Sequence, residues 1–321
     1  MDRLRLKAAL LAAGKVKVAG VPPGPYLSSS TAGPGAGGEG SVFFSVDGMR
    51  VRLSVDPHAD LVLIHEGKGN ATLPFHGEMV RGVLEVPGFH CPRQAFITLT
   101  ASCIFSCLYC AVPGRVGRTK STEEVVAMVR SVIGRIDAIS LTSGVAGSIE
   151  EEERRALDAV RALVPFDLPI GVSIYPTRNS PRLLREAGAA EVKFNIEAAT
   201  PGLFAEMCPG LEWNLVWEVL EESVRLFGKN HVQSNIIVGL GESDEEMAAA
   251  VRRLCSLGVI PVLRPLTPSA GLAHFPRPSA ERLLKLHAVA REEMVAAGLD
   301  AREALTMCAA CMGCDLVPGR D

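Results

Sequence analysis

Two rhythms of apolar and polar positions divide the chain. Up to about residue 90 the apolar residues alternate singly with polar ones, the period of half-buried strands. "VFFSVDGMRVRLSV" reads as two strands joined at Asp47-Gly48, a strong hairpin signal. "LVLIHEGKGNATL" and "MVRGVLEV" add further strands, so residues 1–90 are expected to form a small β-rich subdomain. Ahead of them lies a short helix and then "PPGPYLSSSTAGPGAGGEGS", which can sustain neither helix nor sheet and is expected to be a mobile loop. It is glycine-rich but lacks the Lys-Ser/Thr ending and following helix of a phosphate cradle.

From residue 91 apolar strands alternate with amphipathic helices. The expected strands are "QAFITLT", "AISLTS", "IGVSIY", "EVKFNIE", "VQSNIIVGL" and "VIPVLRPL". Among the helices between them, "STEEVVAMVRSVIG" opens with Ser121 and Glu124 at capping-box spacing. A further helix, "SAERLLKLHAVAREEMVAAG", ends at Gly298. Six strand–helix units in succession argue for an α/β fold with a parallel sheet curled into a partial or complete barrel. In such barrels chemistry gathers at the C-terminal ends of the strands.

Charge and length alter this picture little. The formal net charge of −3 gives no reason to expect nucleic acid. The N-terminal Ala/Leu run is broken by Lys15 and Lys17, too short for a membrane helix and without a cleavage site, so the expectation is a cytoplasmic chain away from membranes. The cysteines change the picture most. There are nine, and six fall in two tight groups, Cys103, Cys107 and Cys110, and Cys308, Cys311 and Cys314. Cys255 alone in a helical stretch is an ordinary buried hydrophobe. For the groups, metal ligation explains crowding that packing does not. Three thiolates can hold three irons of a [4Fe–4S] cluster and leave the fourth without a protein ligand. A zinc site would need a fourth ligand close by.

The Cys-x3-Cys-x2-Cys spacing of "CIFSCLYC", with Tyr109 before the last cysteine, resembles the signature of the radical S-adenosylmethionine (SAM) superfamily. The resemblance implies a partial (β/α)6-type barrel over residues 91–298. It also implies a [4Fe–4S] cluster on Cys103, Cys107 and Cys110 whose open iron chelates S-adenosyl-L-methionine, and cleavage of that cofactor to a 5′-deoxyadenosyl radical. Ile104, Phe105 and Leu108 would then shield the radical from water. Thr142, Ser143 and Gly144, in "LTSGVAG", occupy the place of the family's Gly-rich segment for the methionine amino group. "FNIEAATPGLF" and "NIIVGLGES" are similar to segments of biotin synthase and lipoyl synthase. The similarity carries over a cofactor or substrate role to Asn195 and Glu197, and an adenine-adjacent backbone to Gly239 and Gly241.

The chain departs from biotin synthase where that enzyme holds its sulfur-donating cluster, because "LTSGVAG", "IGVSIYP" and "HVQSNIIVGLGE" contain no cysteine. Instead "MCAACMGCD" resembles half of a bacterial ferredoxin motif. Residues 299–321 are therefore expected to be a tail that binds a second, auxiliary [4Fe–4S] cluster through Cys308, Cys311 and Cys314. Cys91 or Cys208 could complete it, Cys208 near the barrel mouth and Cys91 toward the opposite end. The tail is long enough to fold back over the mouth from either end.

Together these features resemble one component of the two-component lipoyl synthases. That resemblance implies sulfur insertion into an octanoyl chain on a carrier protein, with a companion radical SAM protein and a reductant such as ferredoxin or flavodoxin. Maturation of a metallocofactor or a carbon-skeleton rearrangement is the alternative radical chemistry. A non-catalytic Fe–S or zinc scaffold is the alternative outside enzymes.

Overall fold

A computed structural model describes residues 2–29, 39–114 and 117–321. Residues 30–38, nine of the twenty in the Gly/Pro/Ser loop, lie outside that set. Helix α1 (Arg3–Ala13) leads into β1 (Lys15–Gly20), β2 (Ser41–Val46), β3 (Met49–Val55), β4 (Val62–Gly67), β5 (Asn70–Phe75) and β6 (Glu78–Glu85). These six strands close into a barrel in the order β1-β3-β2-β6-β5-β4. The hairpin at Asp47-Gly48 forms as its sequence demands, with φ of 49° and 83° at the two turn residues and Val46 paired to Met49. β1 was not legible in the alternation. Its pairing is parallel to both β3 and β4, and this closes the barrel.

A second sheet follows: β7 (His90–Cys91), β8 (Gln94–Thr98), β9 (Ala138–Thr142), β10 (Ile170–Ser173), β11 (Glu191–Lys193), β12 (Val232–Val238) and β13 (Ile260–Pro265). They lie in sequence order, β8 to β13 all parallel, with β7 folded back on β8. The connecting helices are α2 (Thr122–Val132), α3 (Ile149–Leu163), α4 (Ser180–Ala187), α5 (Pro201–Met207), α6 (Trp213–Phe227) and α7 (Asp244–Leu257), with α8 (Ala280–Ala296) after the last strand. This is the expected partial barrel of six parallel strands. Both bonds of the capping box at Ser121 and Glu124 form, at 3.2 and 2.8 Å. β11 is shorter than "EVKFNIE" suggested: regular pairing stops at Lys193, and the chain meets β12 again only at Glu197, whose φ is +56° and which bridges Ile236. β12 is buried along its whole length although it contains Gln233, Ser234 and Asn235. Gln233 and Asn235 face the barrel interior, whereas Ser234 on the other face accepts from Ile196 N at 2.9 Å.

The second sheet is open between β13 and β7–β8, and the C-terminal segment lies in that gap. Its short helix α9 (Met307–Cys311) enters at the N-terminal ends of the strands, opposite the expected mouth. Inward-facing residues at those ends hold it. Glu191 Oε2 accepts from Thr306 N at 2.9 Å and Thr306 Oγ1 at 2.6 Å, and Glu191 Oε1 accepts from Leu305 N at 2.7 Å. Gln94 Oε1 accepts from Met307 N at 2.9 Å, and Gln233 Oε1 from Ala309 N at 3.1 Å. Gly171 has no side chain because a Cβ would stand 2.1 Å from Thr306 Oγ1. The N-terminal barrel grips the other side, with Arg52 N donating to Gly313 O at 2.6 Å and buried Lys7 paired to Asp321. The tail therefore does not cross the mouth. It plugs the floor.

Glu191 is fully buried and accepts three hydrogen bonds from Leu305 and Thr306. Glu191→Ala would strand several buried donors, and it is expected to cost about 3 kcal/mol. Denaturant unfolding of the metal-free chain should register that loss, while Thr306→Ala should lose less.

Candidate functional site

A cavity of about 870 Å³ runs down the axis of the larger barrel. Cys103, Cys107 and Cys110 line its upper part, in the loop that follows β8. The loop is held by backbone bonds that do not involve the thiols: Ile104 N to Val145 O at 2.7 Å and Leu108 N to Met207 O at 2.9 Å. Gly144 is required beside it, since a Cβ there would stand 2.2 Å from Ser102 O. Thr142, Ser143 and Gly144 all face the cavity. The Ser143 hydroxyl is already engaged, accepting from Thr100 N at 3.1 Å and donating to Glu152 at 2.9 Å.

Phe105 lines the cavity and packs on Tyr175 with ring centroids 5.4 Å apart. Ile104 does not line it and is 54% exposed, so it could not shield a radical there. Cys208 is fully buried behind the cysteine loop and does not line the cavity; it contacts the Tyr109 hydroxyl at 3.6 Å and lies beside Cys107. The contact with Cys208 draws the Cys107 thiol below its ordinary value, against the effect of burial, whereas burial pushes Cys110 up to about 11. Cys255 is buried within α7, and burial pushes its thiol up to about 12, as suits an inert hydrophobe.

Deeper in the cavity, Asn195 Nδ2 donates to Glu197 Oε1 at 3.0 Å, and Asn195 Oδ1 accepts from Asn235 N at 3.1 Å. Burial raises the Glu197 carboxyl above its ordinary value, outweighing the pull of Asn195, Lys193, Arg264 and Tyr109. A non-glycine residue at positive φ with a desolvated carboxyl is a costly arrangement, of the kind that persists at working sites. Gly239 and Gly241 do not line the cavity. Their φ values of 111° and 114° serve a turn whose Gly239 and Leu240 amides donate to buried Glu242, each at 2.8 Å. Arg282 pairs with that carboxylate at 2.9 Å.

For Glu197→Gln we expect unchanged iron content and turnover reduced on the order of tenfold to a hundredfold. A raised carboxyl stabilises the fold below its unfolded pKa and loses that contribution as pH rises through the folded value. Above that range the metal-free Gln variant should thus be at least as stable as the parent. An unaltered rate would return Glu197 to a structural role.

The floor of the cavity holds what the linear sequence did not reveal. Cys308 lines it, together with His90, Phe96, Lys193 and Arg264. Lys193 Nζ donates to Cys308 Sγ at 3.0 Å and Arg264 Nη2 donates to it at 3.4 Å. Arg264 is also paired to Asp315 at 2.7 Å. Cys311 and Cys314 lie behind, and Cys91 on β7 is beside Cys311, both packed on Phe43. The hydrogen bond from Cys91 draws Cys311 down to about 7 despite burial, whereas burial pushes Cys314 up to about 11. Cys91 thus sits at the end opposite the mouth, the end the tail occupies.

Among the described residues, no three His, Cys, Asp or Glu side chains stand close enough to share a single metal ion. The thiolates of an Fe–S cluster bind separate irons and so stand farther apart than the ligands of one ion. A loop presenting three soft thiols, no carboxylate or imidazole, and a glycine where the backbone comes closest, fits such a cluster. The cavity rim is formed partly by the N-terminal barrel, through Lys15, Ser54, Asp56 and Pro57, and partly by Pro268 and Ser269 after β13.

Residues 97–254 match the family model described as the Radical SAM superfamily. No curated protein matches the sequence. Among solved structures, a radical SAM methyltransferase from Sphaerobacter thermophilus superposes with a TM-score of 0.53 at 18% identity, over 78% of this chain and 70% of that one. The [FeFe]-hydrogenase maturase HydG from Carboxydothermus hydrogenoformans gives 0.52 at 19% identity, over 64% and 52%. SuiB from Streptococcus suis, bound to S-adenosylmethionine, gives 0.51 at 14% identity, over 67% and 49%. The chain thus spans about half the length of HydG and SuiB. At these identities the likeness is one of fold.

Proposed function

From the match of residues 97–254 to the radical SAM superfamily model, we propose that the chain is a radical SAM enzyme that inserts sulfur into an unactivated C–H bond of a bound acyl chain. The acyl chain is that of an octanoylated carrier protein, and this enzyme is one of two acting on it. The observation that carries the reading is the single cavity lined by Cys103, Cys107 and Cys110 above and by Cys308 below. A substrate lying between them would meet the radical source at one end and a thiolate-rich site at the other.

Cys103, Cys107 and Cys110 would hold the first cluster, and Cys308, Cys311 and Cys314 the second. When bound, the first cluster supplies the electron that cleaves S-adenosyl-L-methionine, and the second supplies sulfide. The chain itself does the positioning. Thr142 and the backbone at Gly144 border the cysteine loop, where the methionine end of the cofactor would lie. Asn195 orients Glu197 toward the space below. The buried cavity walls, including Ile174, Val216 and Ile237, exclude water from a reactive intermediate and suit an aliphatic chain. The rim shared with the N-terminal barrel would admit a chain still tethered to a protein.

The test is mass spectrometry of octanoylated carrier after incubation with reductant and S-adenosyl-L-methionine, with and without a companion radical SAM protein. A mass gain for thiolation, dependent on this chain, is expected. Cofactor cleavage with no thiolated carrier under either condition would redirect the assignment to metallocofactor maturation or a carbon-skeleton rearrangement.

A further inference from the structure

Cys91 lies more than two hundred residues before the tail cysteines, yet the fold brings it to them. It is fully buried on β7, its thiol in contact with Cys311, and both pack on Phe43 of the N-terminal barrel. Cys308 and Cys311 stand one turn apart on α9, and a positive φ of 59° at Met312 reverses the chain so that Cys314 returns to the same region. Gly313 makes that reversal tight, since a Cβ there would stand 2.5 Å from the Phe43 ring.

Cations from both barrels surround the group. Arg50 donates to Cys311 O at 3.0 Å, Arg52 lies over Phe43 with its guanidinium 5.5 Å from the ring centroid, and Lys193 and Arg264 point at Cys308. The carboxylates nearby are Glu85, paired to Arg50, Asp315, paired to Arg264, and Glu197, which attracts Lys193 and Arg264 across the cavity. Lys193 is 4% exposed, and its hydrogen-bond acceptor among the described residues is a sulfur. Neutral thiols would add little to what these carboxylates give the buried cations, whereas a thiolate-ligated cluster carries net negative charge.

Resting on the reading of the tail as a cluster site, we infer that Cys91 is the fourth ligand of an auxiliary [4Fe–4S] cluster with Cys308, Cys311 and Cys314, and that Cys308 is its cavity-facing corner. Cys308 lines the cavity, whereas Cys91, Cys311 and Cys314 do not. Three ligands anchor the cluster at the seam of the two barrels. The fourth meets the substrate space.

The test uses the full chain with Cys103, Cys107 and Cys110 replaced by Ala, reconstituted anaerobically with iron and sulfide. Without the first cluster, about four irons per chain and one reduced-cluster electron paramagnetic resonance (EPR) signal are expected. Adding Cys91→Ala should halve the chelator-resistant iron or worse, and Cys91→Ser should shift the signal. Cys208→Ala should alter neither, and circular dichroism of each variant monitors folding. In the Cys308→Ala background the vacated iron should bind added 2-mercaptoethanol through the cavity, seen as a change in g values, whereas Cys311→Ala should give no such response. Unaltered iron and signal in both Cys91 variants would overturn the four-ligand assignment. An equal thiol response in the Cys308 and Cys311 variants, or none in the first, would overturn the cavity-facing one. No iron before any of these changes, or one zinc in its place, would overturn the reading of the tail itself.

Discussion

Replacing Cys103, Cys107 and Cys110 together with Ala is expected to bring 5′-deoxyadenosine formation to background. The effect would be all-or-none because, on the proposed reading, the electron that cleaves the cofactor has no other route. A cluster deprived of three thiolates is not retained, and no neighbouring group can substitute. Cys208 is the thiol beside the loop, and one ligand cannot replace three. The fold should survive the change. The loop is fixed by Ile104 N to Val145 O and by Leu108 N to Met207 O, and the three thiols are only partly buried. Iron in the reconstituted chain should fall from about eight to about four per chain if each cysteine group holds one cluster. Chromatography of the reaction after reduction reads the first expectation, and iron and sulfide analysis reads the second. Continued cofactor cleavage by the triple variant would overturn the assignment of these three cysteines as the ligands of the cleaving cluster.

Replacing Cys308, Cys311 and Cys314 with Ala is expected to separate two activities. Abortive cleavage of the cofactor should persist, and the thiolated product should vanish. The structural reason is that the tail docks through groups other than its cysteines. Glu191, Gln94 and Gln233 bind its backbone, Lys7 pairs with Asp321, and Arg264 pairs with Asp315. The plug should stay in place without its thiols, and the upper half of the cavity should keep its shape. Reconstitution of the unaltered chain with isotopically labelled sulfide should then place label in the product. Full product formation by the tail variant would assign the tail a structural role. Loss of both activities would mean that cluster and plug are inseparable, and Glu191→Ala would then reproduce it with all nine cysteines intact.

What could be read directly from the chain was whatever depends on neighbours in sequence. Alternation and helical period located β2 to β6, the six parallel strands and most of the helices. Turn chemistry placed the Asp47-Gly48 hairpin, and the alternation of strands and helices placed Cys103, Cys107 and Cys110 in the loop after the first parallel strand. The misses were local signals too short or too conflicted to show a period. β1 pairs only through a distant register, α9 spans five residues, and the strand expected over "EVKFNIE" pairs regularly only as far as Lys193. Gly239 and Gly241 matched a family segment, but their neighbourhood shows a turn closed by Glu242 and Arg282. Only the tertiary structure decided where the tail goes, which end Cys91 occupies and which tail cysteine meets the cavity. Those facts rest on pairs such as Lys193 with Cys308 and Gln94 with Met307, separated by 115 and 213 residues. No periodicity encodes such pairs. They exist because six strands close around a polar interior, and that interior supplies the partners for the buried tail.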